Sequence, residues 1–156
     1  MAIKTKPVEK YSFSKFGDVV KFPEGVPTSR DNTYKFWSNI SNYFIDGKTE
    51  IGICTVYKQQ ENILTGVERH LKTPEILIPI DAPFVLPLLI DGEGESKMEL
   101  FLVNIGEAVI INEAVWHGAC IPVGKDRASY FVIFRLNTPN EDVEKKNISP
   151  VKVEVE

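Results

Sequence analysis

The chain has 156 residues, of which 43% are hydrophobic and 26% charged, and its formal net charge is -4. This composition is typical of a globular domain, and the acidic balance offers no basic patch of the kind that binds nucleic acid. No apolar run approaches the ~18 residues of a membrane-spanning helix, and the polar start lacks the apolar stretch of a signal peptide. We therefore expect one cytoplasmic domain over residues 1–156, with its core at about residues 11–140, that acts on a small molecule.

The first fifty residues carry weak structural signals. Residues 1–10 are polar and are expected to be loose unless something docks them. A Phe-Gly-Asp turn at residues 16–18 leads into a short strand, and the stretch of Pro, Gly, Ser and Asp at residues 23–32 is typical of a loop. The aromatic residues 34–40 fit either a strand or a packed loop, and the sequence does not decide between them.

Strand patterns dominate the rest of the chain. Apolar and β-branched runs follow one another at intervals of roughly ten residues, and Asp, Gly and Pro occupy the breaks between them. The runs are residues 51–57, 75–80, 84–90, 98–104, 108–112, 115–121 and 129–136. This spacing predicts an all-β barrel or sandwich. Residues 149–156 alternate apolar and charged side chains, which fits an edge strand or a frayed end.

The cysteines Cys54 and Cys120 each lie in an apolar run. A free thiol in such a setting packs as a small hydrophobic side chain. We therefore expect structural roles for both, rather than a disulfide or a reactive thiol.

Two clusters of ionisable residues contain both histidines of the chain. In the first, at residues 66–75, Glu68 and His70 share one face if the backbone is extended, whereas Arg69 faces the other way. The second, at residues 106–117, ends on Trp116 and His117. Taken singly, each histidine is more often a satisfied interior or rim residue than a ligand.

The spacing of these clusters resembles the two motifs of the cupin family. Glu68, His70 and Glu75 follow the first motif, with glutamate in place of its leading histidine. His117 follows the second, although Asn112, Ala114 and Ile121 replace its usual Pro, Gly and Asn. The resemblance implies an all-β, cupin-like β-barrel (a double-stranded β-helix, or jelly roll).

The cupin resemblance also implies a divalent metal held by Glu68, His70, Glu75 and His117. Two carboxylates and two imidazoles suit Ni, Mn, Zn or Fe, and no organic cofactor is expected. Finding both histidines at ligand spacing favours a site over two unrelated interior residues. The alternative for Glu75, which opens a strand after a proline, is a glutamate that faces water.

Further landmarks between residues 13 and 136 resemble the ureidoglycolate lyase family, a cupin-type group. They are residues 15–20, Glu68-Arg69-His70, Ile78-Pro79, residues 83–85, Val115-Trp116-His117 and residues 131–135. The resemblance implies an enzyme that eliminates urea from ureidoglycolate to leave glyoxylate, in allantoin and purine breakdown. Gly118 and Ala119 stand where the family usually has His-Pro, and residues 107–110 replace its usual Gly-Val-Asn-Tyr. These departures leave open a cupin acting on another small hydroxy or keto acid, or a non-catalytic module that binds a small acid.

The resemblance assigns roles to individual residues. Glu68, His70 and His117 are the expected catalytic or metal-binding groups. Lys72, Arg135 and Phe131 are expected to bind the small carboxylate substrate: Lys72 shares parity with His70, and Phe131 shares a strand face with Arg135.

The remaining expectations concern packing and assembly. By parity, Arg69 should be a surface cation and Trp116 a packing residue. A homodimer is expected because small barrels commonly cover an exposed sheet edge.

Overall fold

The fold is that of a computed structural model, which describes residues 1–155. Strands make up most of its regular structure. They are β1 (Ala2–Pro7), β2 (Gly17–Val20), β3 (Ser29–Arg30), β4 (Lys35–Phe36), β5 (Thr49–Tyr57), β6 (Ile63–Arg69), β7 (Glu75–Pro79), β8 (Phe84–Leu89), β9 (Glu99–Val103), β10 (Ala108–Ile111), β11 (Trp116–His117), β12 (Ile121–Pro122), β13 (Arg127–Arg135) and β14 (Glu144–Glu154). The short helices are α1 (Lys10–Phe13), α2 (Thr138–Glu141) and a 3₁₀ turn (Glu95–Lys97).

Most of these strands belong to two sheets. One has five strands in the order β2-β10-β7-β13-β5, and the other has seven in the order β11-β6-β14-β1-β9-β8-β12, with β11 also paired to β8. The largest core cluster draws on both sheets, for example Leu77 and Tyr130 from the first and Phe84 and Phe101 from the second. The sheets therefore pack face to face, which confirms the predicted all-β, cupin-like jelly roll.

The burial of β8 on both faces explains why its sequence is continuously apolar. Phe84, Leu86 and Leu88 belong to the core between the sheets, whereas Val85 and Leu89 belong to a second buried cluster on the opposite face. Because successive side chains of a strand point to opposite faces, a strand that is covered on both sides has no polar positions.

Gly17 fixes the junction between β2 and β10. A Cβ atom at this position would lie 1.7 Å from the carbonyl oxygen of Ile110, which is backbone and cannot move aside. Only glycine allows so close an approach of two backbones. The turn and strand predicted around this residue are confirmed by β2.

Both ends of the chain differ from expectation, because each is part of the seven-stranded sheet. The expected loose start forms β1, which pairs in parallel with β14 on one side and with β9 on the other. Strand β14 begins at Glu144, well before the alternating tail that signals it in the sequence. The packed part of the domain therefore extends beyond residues 11–140 at both ends.

Residues 21–48 connect β2 to β5 and are mostly exposed. They contain the small β3–β4 hairpin and several exposed aromatic side chains, among them Phe22, Phe36 and Phe44. The undecided stretch at residues 34–40 forms β4 followed by loop. Among the described residues, none of the helices has the length and apolar character needed to cross a membrane.

Candidate active site

A cavity of about 870 Å³ opens between the two sheets. Its walls include alternate residues of β13, several residues of β5, the start of β7, the end of β6 and the start of β14. The four sequence-predicted metal ligands, Glu68, His70, Glu75 and His117, all line it. The fold therefore brings the two clusters of ionisable residues together.

Three strands position these four side chains. Glu68 lies near the end of β6, and its Cα partner in β11 is His117, so one cross-strand pair holds both residues. His70 follows β6 directly, two residues after Glu68 and on the same face, as its parity predicts. Glu75 opens β7 in the opposite sheet. The site thus spans the gap between the sheets.

The nitrogen and oxygen atoms of the site converge on Glu75. Its Oε2 lies 3.0 Å from Nε2 of His70 and 3.2 Å from Nε2 of His117. The carboxylate of Glu68 lies farther out, with Oε2 3.8 Å from Nε2 of His70. Glu75 is 8% exposed. The alternative that this glutamate faces water does not hold.

Two buried atoms at this centre have no hydrogen-bond partner, Oε2 of Glu75 and Nε2 of His117. They lie close together without the geometry of a hydrogen bond, and leaving buried polar atoms in this state is costly. Ligand atoms of Glu68, His70 and His117 also lie within 4.8 Å of one another. Carboxylate oxygens and imidazole nitrogens that converge in this way fit a divalent transition metal.

His70 is oriented by Asp142, which follows α2. Nδ1 of His70 lies 2.8 Å from the backbone carbonyl oxygen of Asp142, so this nitrogen carries the proton and donates it. Nε2 is then free to face Glu75. The carboxylate of Asp142 accepts hydrogen bonds from the backbone N–H groups of Leu71 and Lys72. Asp142 therefore fixes both the ring and the loop that carries it, and the sequence alone gives no signal for this contact.

The charges at the site shift two pKa values. Burial disfavours the charged form of His70, but the carboxylates of Glu75 and Glu68 and the Asp142 carbonyl outweigh it, so the pKa of His70 is raised. Burial opposes ionisation of Glu75 too, yet the adjoining His117 and His70 hold the pKa of this carboxyl far below its usual range. Glu75 is therefore an anion, as a metal ligand must be.

The three residues expected to bind substrate do not line the cavity. On β13 the lining residues are Tyr130, Val132 and Phe134, so alternation turns Phe131 and Arg135 to the outer face of the sheet. This corrects the expected facing of both. Lys72 lies in the exposed loop after His70, where the strand has already ended, so its parity with His70 no longer applies.

A basic residue missing from the expectations does face the cavity. Lys145 lies on β14, its Cα partner on β6 is Glu68, and its side chain contributes to the cavity wall. Among the described residues that line the cavity it is the one lysine or arginine. The sequence did not predict this role, because Lys145 lies in a charged stretch after residue 140, outside the expected core.

The cysteines are free thiols, as expected, and both line the cavity. Tyr130 lies close to both of them and lines the cavity as well. Burial raises the pKa of the Cys120 thiol, which keeps it protonated. These three side chains form a neutral wall rather than a second charged centre.

The outer face of β6 and β11, opposite the cavity, holds Arg69 and Trp116. The Arg69 guanidinium lies 4.5 Å from the centre of the Trp116 ring and 3.1 Å from the carboxylate of Asp91. The same carboxylate accepts a hydrogen bond from the indole N–H of Trp116 at 3.0 Å. Trp116 is buried in the second core cluster, in the packing role that its parity predicts. Arg69 faces outward as expected, but it is a packed ion-pair partner rather than a free surface cation.

A scan against protein families matches the model described as Ureidoglycolate lyase over residues 1–156. The chain belongs to the ureidoglycolate lyase family. Membership of the ureidoglycolate lyase family confirms the resemblance drawn from Glu68-Arg69-His70 and Val115-Trp116-His117. It also supports the predicted enzyme activity, the elimination of urea from ureidoglycolate.

Several solved structures are similar to this chain at low identity. A mutant of the 3,4-ketoisomerase QdtA from Thermoanaerobacterium thermosaccharolyticum has 16% identity, a TM-score of 0.49 and coverage of 81% of this chain and 84% of its own. Oxalate decarboxylase OxdC from Bacillus subtilis, as a deletion mutant, has 15% identity, a TM-score of 0.44 and coverage of 56% of this chain.

The chain spans only 21% of the length of that decarboxylase. No curated protein matches the sequence significantly. The match to the ureidoglycolate lyase family, which spans the whole chain, therefore carries the assignment.

Proposed function

We propose that this chain releases urea and glyoxylate from ureidoglycolate at the cavity between the sheets, in purine or allantoin breakdown. The observation that supports this most is the convergence of His70, Glu75 and His117 on one buried point, with Glu68 beside them. Ureidoglycolate carries its carboxylate, hydroxyl and ureido groups on one carbon atom. Its breakdown requires one proton to leave the hydroxyl and one to reach the leaving nitrogen.

Glu68 is the group best placed to move that proton. Its side chain is 39% exposed and faces the cavity, and its distance of 3.8 Å to His70 is too long for a hydrogen bond. The carboxylate takes the proton from the substrate hydroxyl, the oxygen forms the aldehyde C=O, and the C–N bond breaks. The same group then gives the proton to the urea nitrogen, so the reaction leaves the enzyme unchanged.

A metal fits the three inner residues. His70, Glu75 and His117 would hold a divalent ion and leave Glu68 free as the base, and Ni, Mn, Zn and Fe suit this mixture of donors. Such an ion supplies Lewis acidity to the substrate's carboxylate and hydroxyl oxygens. Asp142 supports this role, because its carbonyl holds Nδ1 of His70 and so directs Nε2 at the site.

Lys145 binds the substrate carboxylate in this proposal, in place of Lys72, Arg135 and Phe131. It is adjacent to Glu68 across the β6–β14 pair and makes no ion pair within 4.0 Å among the described residues. A lysine ammonium free of other partners is suited to a carboxylate.

The decisive assay mixes purified protein with ureidoglycolate and follows glyoxylate against spontaneous breakdown. We expect acceleration by the wild-type chain and strong loss in Glu68→Gln, whose side chain keeps its size but cannot accept the proton. Binding of ureidoglycolate without acceleration would instead favour a non-catalytic binding module. Elemental analysis of the same preparation identifies the metal, and absence of affinity for Ni, Mn, Zn and Fe would exclude the ligand assignment.

A homodimer remains part of the proposal. Strand β5 is the edge of the five-stranded sheet, and Ile51 and Ile53 on it are 69% and 64% exposed. Phe131 pairs with Ile53 on the same outer face, so the edge carries an apolar patch that a second copy would cover. Sedimentation of wild type and Ile53→Lys tests this, with a monomeric wild type as the contrary outcome. A cytoplasmic location remains a prediction, with which the free cysteines are compatible.

A further inference from the structure

The cavity is much larger than ureidoglycolate requires. Its volume of about 870 Å³ lies near the top of the range of roughly 300–1,000 Å³ that holds drug-sized ligands. Ureidoglycolate is about the size of asparagine. Bound at the Glu68–His70–Glu75–His117 cluster, it would leave most of the cavity unfilled.

The walls beyond that cluster are mainly apolar. They include Cys54, Val56, Leu77, Leu86, Ala119 and Val132. The one hydroxyl there, on Tyr130, cannot accept from all three N–H groups of a ureido group. A ureido group placed against this wall would leave N–H donors without acceptors, which costs binding free energy. An alkyl chain would meet surface of its own kind.

The apolar space continues past this wall. A second cavity of about 260 Å³ adjoins the first, because Val56, Ala119 and Cys120 line both. Its other residues are mostly apolar, with polar side chains at one end: Tyr57, Ile63, Leu64, Ile121 and Pro122, and then Gln59, Glu61 and Asn62. An elongated apolar group that starts at the charged cluster can therefore extend along the cavity toward the edge of β12.

We propose that the chain also cleaves N-acyl-α-hydroxyglycines with apolar acyl groups, releasing glyoxylate and a primary fatty amide. The inference rests on the proposed function, because it uses the same centre and the same bond. The hydroxyl proton leaves, the hydroxyl oxygen becomes the aldehyde oxygen, the carbinolamide C–N bond breaks, and the amide nitrogen takes the proton. No oxidant or further reactant is needed. The glycine carboxylate lies at Lys145, and the acyl chain lies along Val56 and Val132.

The test follows glyoxylate release from the acetyl, butanoyl, hexanoyl and octanoyl members of this series and from ureidoglycolate. Because each buried CH₂ strengthens binding, we expect kcat/KM to rise about fourfold per added CH₂ until the cavity is filled. A flat or falling series with active ureidoglycolate would overturn this inference and leave the proposed function standing. Inactivity on every substrate would overturn both proposals.

A matched pair of variants locates the acyl chain. Val132→Phe fills the cavity from β13, whereas Ile133→Phe makes the same kind of change on the outer face of that strand. We expect Val132→Phe to lower the octanoyl-to-acetyl ratio of kcat/KM at least tenfold and Ile133→Phe to leave the ratio unchanged. Equal ratios in both variants would overturn the assigned path of the chain.

Val56→Phe provides a second test of that path should Val132→Phe fail to fold, as judged by thermal unfolding. Val56 lines both cavities, so its replacement narrows the passage between them. We expect the octanoyl substrate to lose more kcat/KM than the butanoyl substrate. Loss of equal size for both would count against a chain that reaches the second cavity.

Discussion

Strands β6 and β11 carry ionisable and aromatic residues on both faces, and the two faces differ in how these residues are satisfied. On the cavity face, His117 Nε2 and the facing Glu75 Oε2 have no hydrogen-bond partner. On the outer face, Arg69 and Trp116 share the carboxylate of Asp91 and contact each other. The alternation of a strand places these opposite situations one residue apart.

The difference separates binding from stability. On the cavity face, Oε2 of Glu75 and Nε2 of His117 have no hydrogen-bond partner among the described residues. Substitutions of these side chains should therefore lower activity and cost little folding free energy. On the outer face the Arg69 guanidinium pairs with Asp91 through one terminal nitrogen and the Trp116 indole N–H has a partner too, so that only Nε of Arg69 is unpaired. Loss of these contacts should therefore cost folding free energy first. The variants below test this division.

The largest effect is expected for His117→Ala. Removal of one converging imidazole should lower kcat/KM for ureidoglycolate by about 100-fold or more, since positioned acid, base or ligand groups contribute on this scale. The melting temperature of the metal-free protein should fall by only a few degrees, because the substitution removes the contact of Nε2 with the Glu75 carboxylate but no hydrogen bond. Glyoxylate assays and calorimetry measure the two quantities. A large loss of stability with activity retained would show that His117 contributes to folding rather than to the reaction, as the outer-face residues do.

Metal binding should stabilise the native cavity face. An ion at 100 times its Kd adds about 2.7 kcal/mol to the free energy of unfolding, which corresponds to roughly 5–10 °C for a chain of this size. We expect Ni, Mn, Zn or Fe to raise the melting temperature of chelator-treated wild type and to leave His117→Ala nearly unchanged. An equal rise in both proteins would place the ion elsewhere.

Lys145→Met and Lys146→Met compare a lysine on the cavity face with the next lysine, which lies on the outer face. Loss of the ammonium should raise KM for ureidoglycolate by about tenfold, because a hydrogen bond to a charged group is removed at a partly wet site. Lys146→Met is the matched control, since Lys146 lies over the Trp116 ring on the outer face. Equal effects in the two variants would remove Lys145 from the substrate site.

Local patterns predicted the fold and the centre of the site well. The alternation around Glu68, Arg69 and His70 correctly divides them between two faces, and the apolar runs correspond to β5, β7, β8, β9, β10 and β13. These features depend only on residues that are close together in the sequence, and the two-residue period of a strand makes them readable there.

Contacts between distant segments were beyond that reasoning. Asp142 and Lys145 reach the site only because β14 pairs with β6, and nothing near either residue encodes that register. The inward facing of Phe131 was wrong for a related reason: β13 is apolar on both faces, so its sequence does not say which side is covered. Gly118 was seen as a lost histidine, yet a Cβ there would lie 2.7 Å from Cδ2 of Leu64, so a larger residue at this position would have to displace the end of that side chain.

On the outer face, Trp116→Leu should destabilise the protein by about 1–3 kcal/mol. The change removes the hydrogen bond to Asp91 and the ring over which Arg69 lies, while it keeps an apolar side chain in the second core cluster. Urea denaturation measures the loss. Below the unfolding transition, kcat/KM should stay within tenfold of wild type. A loss of activity as large as that of His117→Ala would show that the two faces are not separable.

The smallest effect concerns the pH dependence of the metal-free protein. The pKa of His70 is raised above its ordinary value of 6.5 in the folded state, so the folded protein binds this proton more tightly than the unfolded chain. The resulting stabilisation is fully present below pH 6.5 and is lost as pH rises through the raised pKa. The lowered pKa of Glu75 acts at acidic pH. Its contribution to the free energy of unfolding is fully present above pH 4.5 and is lost as pH falls toward the lowered pKa.

We therefore expect the melting temperature of metal-free wild type to fall by a few degrees as pH rises from 6.5 to about 8, with a smaller fall in His70→Gln. Added metal should reverse the trend, because it binds neutral imidazole and competes with protons for the same nitrogen. An identical slope in wild type and His70→Gln would show that the charge on this ring is not coupled to folding. The contacts with Glu75 would then be packing alone, and the cavity face would resemble the outer one.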